Sequence, residues 1–169
     1  VVVEGRGVAV PAPVVGRADA PLRQAVPPVG RALAAWTLRA TDELVRLRHG
    51  LLAAVRSAEA GPARSARTAA EDDGAGTLPC GAALVLLASE LATNALRHGR
   101  PPVVVRLVAA RGQHVVDVSD GAPGRVPLVA GPRAPGEGGF GLHLAQGIAC
   151  GSGWYRTGEE KHVWAAVVA

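Results

Sequence analysis

The segment Cys80-Gly81-Ala82-Ala83-Leu84-Val85-Leu86-Leu87-Ala88-Ser89-Glu90-Leu91-Ala92-Thr93-Asn94-Ala95-Leu96-Arg97-His98 reads as one unbroken helix. Leu84, Val85, Leu87, Ala88, Leu91 and Ala95 spread apolar surface around much of its circumference, which predicts a central, buried helix. Gly99 is placed to stop it, with Pro101-Pro102 beyond. Glu90 and Asn94 break the apolar pattern. They stand four residues apart and so project side by side, and a polar group on a buried helix is costly unless it has a partner. A carboxylate beside an amide oxygen suits a proton-accepting or water-orienting group next to a ligand for a hard cation such as Mg²⁺. A solvated stripe is the plainer alternative.

Downstream, Val103–Ala110 and His114–Asp120 are β-rich runs joined by Ala110-Arg111-Gly112-Gln113, which predicts a hairpin. Asp120 ends the second strand on the face of Val116 and Val118, and Gly121-Ala122-Pro123-Gly124 follows. An acid on that face needs hydrogen-bond donors, such as the exocyclic amine of an adenine; a turn-initiating Asp before Gly is the alternative. Its place at a strand end suggests that removing it would leave the fold intact. Residues 121–138 are too rich in Gly and Pro for a regular element. Gly136-Glu137-Gly138-Gly139-Phe140-Gly141-Leu142 then opens a helix expected over Phe140–Ala149, where glycine amides and the helix N-terminus favour an anion. The cluster is not a P-loop, since no Lys-Ser/Thr follows it. Trp154–Arg156 and His162–Val168 predict a last hairpin.

Upstream, Ala34–Ala40 reads as a short strand with Trp36, Leu38 and Ala40 on one face. Thr41-Asp42-Glu43 reads as a helix start, with a capping hydroxyl and acids in the first turn. Leu44, Leu47, Leu51, Leu52 and Val55 carry that helix to about Ser57. Prolines at 11, 13, 21, 27 and 28 make residues 1–33 a flexible tail ahead of a domain over 34–169. Within the domain, 60–79 is a long connection containing the acidic run Glu71-Asp72-Asp73. The predicted architecture is an α+β two-layer sandwich, a mostly antiparallel sheet with helices on one face.

At 169 residues and 49% apolar, the chain can bury a real core, and with 3% aromatics that core must be Ala, Val and Leu. Even the longest apolar runs, such as Ala82–Ala88, are far short of a membrane span, and a cytoplasmic protein is expected. The net charge of +4 comes from scattered arginines and one lysine, Lys161, with no basic block interleaved with aromatics. That distribution disfavours nucleic acid. Cys80 and Cys150 form no C-x-x-C pair and are expected to be buried free thiols.

In order and placement, Glu90-Leu91-Ala92-Thr93-Asn94, Asp120 with Gly124, and Gly139-Phe140-Gly141-Leu142 resemble the N, G1 and G2 boxes of the GHKL (Bergerat-fold) ATPases. The short chain and the ending Gly158…Lys161-His162-Val163-Trp164 are most similar to bacterial anti-sigma-factor serine kinases and small actinobacterial ATP-binding regulators. The resemblance implies ATP and Mg²⁺ as cofactors, with Asn94 holding Mg²⁺ and Glu90 as general base. It implies Asp120 on the adenine amine, Gly124 supporting the turn beneath the base, and Gly139 and Gly141 lining the phosphates, under a lid over 121–138. It further implies phosphate transfer to a Ser or Thr of an antagonist protein, a sigma factor as partner, and a homodimer. Three positions depart from the family pattern. Ala122 replaces the first glycine of D-x-G-x-G, Glu137 and Phe140 stand where a basic residue is common, and His162 aligns with a threonine that helps bind adenine. A nucleotide-gated binding module without kinase activity, and a detached histidine-kinase catalytic domain, are the alternatives.

Overall fold

The computed structural model describes residues 20–60, 79–129 and 147–169. Their elements are β1 (Ala20–Pro21), β2 (Gly30–Leu38), a 3₁₀ turn (Thr41–Glu43), α1 (Leu44–Glu59), α2 (Cys80–His98), β3 (Val103–Ala110), β4 (Gln113–Asp120), β5 (Leu128–Val129), β6 (Gly151–Thr157) and β7 (Glu160–Val168).

The sequence dictates α2 most strongly. Ala83, Leu84, Leu87, Ala88, Leu91, Ala92 and Ala95 are all buried along it. Alanines at many of these positions let the helix lie close on the sheet at little entropic cost. In α1, Leu44, Leu47, Leu51 and Val55 are buried at three- and four-residue spacing, and the helix packs on α2 and β2. Its start differs from expectation, because the Thr41 hydroxyl makes no capping bond. Instead the Glu43 carboxylate reaches back to accept the backbone N–H groups of Arg39 and Ala40. This is half of a reciprocal box, since Ala40 has no side-chain oxygen to return.

Five strands form one antiparallel sheet in the order β2-β3-β4-β7-β6. Its two hairpins turn at Gly112 and Gly158, both at positive φ, where a side chain would be strained. Alternation sends Val105, Leu107, Val116, Val118, Ala165 and Val167 to one face, where they join the buried residues of both helices in a single core. The two-layer α+β sandwich is therefore as expected from sequence.

On the opposite face lie Val115, Trp164 and Ala166. Residues 20–25, which their prolines placed in the tail, run along the β6 edge of the sheet, where Gln24 makes a parallel bridge to Trp154. Ala25 donates its N–H to the Trp154 carbonyl and its own carbonyl accepts the Trp164 indole N–H at 2.7 Å. Leu22 is buried against Trp154, and β1 pairs with β5. Prolines prevented a helix here, but an extended strap tolerates them. Residues 1–19, the connection over 61–78 and most of the helix expected over Phe140–Ala149 lie outside the described residues. Among those described, the two cysteines form no disulfide, and Cys150 is exposed rather than buried and Cys80 only half-buried. No described helix is long and apolar enough to cross a membrane.

Candidate functional site

Asp120 is the last residue of β4, and in the ladder it sits opposite Lys161 of β7. The β4 ladder keeps the phase that turns Val116 and Val118 toward the helices, so Asp120 points inward with them. It is 2% exposed and Lys161 is 6% exposed. The Lys161 ammonium lies 3.0 Å from Asp120 Oδ2, while Oδ1 accepts the N–H of Ala122 at 2.9 Å. That second bond closes the turn leaving β4. Gly99, just past the end of α2, presses on the same carboxyl group, so that a β-carbon there would come within 2.6 Å of Oδ1. The carboxylate is thus held from three sides by a backbone amide, an ammonium and a bare helix end. A carboxylate has roughly four acceptor positions, and two are used here. The remaining two can accept from an amine, so the acceptor set fits the adenine end of a nucleotide.

Glu90 and Asn94 both lie on α2, half-buried and one turn apart. Neither makes a hydrogen bond or ion pair among the described residues. Their neighbours on the helix are committed: the Ser89 hydroxyl donates to the Val85 carbonyl and accepts Arg48 Nε, and the Thr93 hydroxyl donates to the Ser89 carbonyl. Glu90 also lines a cleft of about 380 Å³ between α1 and α2, with Arg48, Leu52, Ala82, Val85, Leu86 and Ser89. Among the described residues, α2 thus presents one carboxylate and one amide oxygen without a protein partner.

Gly124 is exposed in the turn after β4, with open space where a side chain would be. Gly139 and Gly141 lie outside the described residues, as do Glu137, Phe140 and 130–138 of the expected lid. The first part of that segment is tied down. Gly121 N–H bonds the Arg100 carbonyl, the Arg125 guanidinium caps the end of α2 at the His98 carbonyl at 2.7 Å, and Pro127 accepts from Leu22.

His162, which aligns with the family's threonine, does not share a face of the sheet with Asp120. His162 alternates away from Asp120 to the opposite face, where its Nδ1 is 3.2 Å from Asp117 Oδ2 and its Nε2 is 2.7 Å from the Thr157 hydroxyl. Tyr155 stacks on the imidazole at 4.4 Å and donates its hydroxyl to Asp117 Oδ2 at 3.0 Å. Burial raises the Tyr155 phenol well above its ordinary value, and the adjacent Asp117 charge adds to this. The residue that does face Asp120 is Lys161. Linear reading missed it because a one-residue offset in a strand exchanges the faces. Counting alternate residues back from the buried Ala165 through the half-buried Val163 would have found it.

A family described as Histidine kinase-like ATPase domain matches residues 24–166 of this chain. No curated protein matches it.

Proposed function

We propose that this chain, which belongs to the histidine kinase-like ATPase domain family, is a regulator that binds Mg-ATP and transfers its terminal phosphate to a Ser or Thr of an antagonist protein, alternating this with capture of a sigma factor. Family membership carries the ATP-binding, GHKL-type module. The phosphotransfer reading rests on Glu90, which has no protein partner among the described residues and borders an open cleft. A carboxylate so placed can accept the proton of an incoming hydroxyl.

The other roles are those that the family resemblance implies. Asp120 would accept the adenine amine from its buried seat. Asn94, one turn beyond Glu90, would present its amide oxygen to Mg²⁺, which keeps several waters and needs few protein ligands. Gly124 would leave room beneath the base, and Gly139 and Gly141 would bring backbone amides to the phosphates. Mg-ATP itself supplies the phosphoryl group and the metal charge that offsets the phosphates. Positioning by Asp120, Asn94 and the glycines, and proton acceptance by Glu90, are what the chain contributes. The absence of a basic residue at 137 or 140 leaves the terminal phosphate short of one charge partner, so transfer should be slow.

Radiolabelled transfer from ATP to a cognate antagonist tests the proposal. The wild type should label its partner, and Glu90→Gln should retain ATP binding while losing most of the transfer, because an amide cannot take the proton. A wild type that binds ATP and partner yet labels nothing would replace the kinase with a nucleotide-gated binding module.

A further inference from the structure

Lys161 is the single lysine in a chain whose other basic side chains are arginine or histidine, and it is buried. Burying an ammonium is costly unless it is paired and its protons are satisfied. An ammonium has three N–H donors; among the described residues one of them meets Asp120, and Lys161 has no other hydrogen-bond or ion-pair partner. Beside it, the Asp120 carboxylate keeps acceptor positions after bonding Ala122 and Lys161. The β4–β7 register therefore fixes a hydrogen-bond acceptor and a donor next to each other, both inside the protein.

That order of groups matches one edge of one base. Adenine presents an amine donor at position 6 and, on the neighbouring ring atom N1, an acceptor. Guanine presents the reverse, an oxygen acceptor at position 6 and an N1–H donor. A base seated with position 6 against Asp120 would, as guanine, set its oxygen against a carboxylate and its N–H against an ammonium. We infer that Lys161 is a base-reading residue, donating to N1 of the adenine whose amine Asp120 accepts. The inference deepens the nucleotide reading above and rests on it. It assigns half of the base selection to a residue on β7 rather than to Asp120 alone.

Calorimetry with ATP, GTP and 1-deaza-ATP, all at fixed Mg²⁺, separates the two levels. In 1-deaza-ATP a C–H replaces N1 while the amine remains. Hydrogen bonds to charged groups are among the stronger ones, so wild-type affinity for 1-deaza-ATP should fall roughly 10- to 100-fold below that for ATP. Because Lys161→Met alone would strand a buried carboxylate, the paired variant Asp120→Asn/Lys161→Met serves as the partner measurement, with its folding checked by circular dichroism. It should bind ATP and 1-deaza-ATP equally. Equal binding of the two by the wild type, or an unchanged penalty in the paired variant, overturns the role of Lys161. In either case a retained preference for ATP over GTP leaves the Asp120 site standing. Tighter ATP binding in the paired variant would also overturn it, because Lys161 would then compete with the base for the carboxylate. A wild type that binds no ATP removes both readings.

Discussion

Gly99 and Asp120 are in direct contact, although they end different elements, α2 and β4. Gly99 has φ −94° and ψ −155°, extended rather than left-handed, so its backbone conformation does not require glycine. Space requires it: a β-carbon would fall 2.6 Å from Asp120 Oδ1 and 2.5 Å from the Ala95 carbonyl oxygen. This contact joins the end of the helix carrying Glu90 and Asn94 to the carboxylate on the sheet.

Gly99→Ala should therefore destabilise the fold by about 1–3 kcal/mol, the usual cost of forcing an extra carbon into packed surroundings. Gly124→Ala, with nothing within 4 Å of the added carbon, should change stability by no more than about 0.5 kcal/mol. Urea unfolding of both variants checks the contrast. Equal effects would mean that Gly99 relaxes away from Asp120 at no cost.

Asp120→Ala should cost about 3–5 kcal/mol, because it leaves the buried Lys161 ammonium without its partner. A strand-end position suggested an expendable side chain; burial and the ion pair argue otherwise. Asp120→Asn keeps the shape and should cost less. Chemical denaturation without nucleotide measures both, so that lost ATP binding is not mistaken for lost folding.

Asn94→Ala should weaken the Mg²⁺-dependent part of ATP binding by roughly tenfold while leaving Mg²⁺-free binding nearly unchanged. On the proposed assignment it removes one amide oxygen from the metal, and Asn94 has no hydrogen bond among the described residues for the fold to lose. Titrations with and without EDTA read the difference. An equal loss in both would place Asn94 outside the metal's reach.

Tyr155 is the only tyrosine in the chain, so phenolate absorbance reports on it alone. Its folded phenol is raised above the ordinary value near 10, first by burial and then by Asp117. The fold thus favours the protonated form. Its stabilising contribution is complete below about pH 10 and is lost as pH rises above that value. Alkaline titration should show no phenolate until the protein unfolds, and Tyr155→Phe should flatten the fall in stability above pH 10. Phenolate appearing near pH 10 in the folded protein would contradict the buried contact.

Glu43 behaves in the opposite sense. The backbone N–H groups of Arg39 and Ala40 hold its carboxyl below the usual carboxylate range. The contribution is present above the unfolded value and is lost as pH falls through the folded one, below about pH 4. Thermal melts of wild type and Glu43→Gln should differ near neutral pH and converge in acid. A difference that persists at low pH would point to packing of the side chain rather than its charge.

Much of this protein is legible from residue order alone. Local periodicity places α2 at Cys80–His98 and β3 at Val103–Ala110, because a 3.6-residue or two-residue apolar repeat has one way to reach a core. The pairing of Glu90 with Asn94 is local for the same reason, since one helical turn sets it. The inward direction of Asp120 follows from its strand. Tertiary structure alone decided which residue meets Asp120, for that depends on the register between β4 and β7, strands 40 positions apart in sequence. A shift of one residue would have delivered His162 and sent Lys161 to the far face. It also decided that residues 20–25 are a strap on the sheet and that Gly99 is wanted for space. Composition reports that a segment resists helix, or that a residue is small, but only long-range packing determines what lies against it.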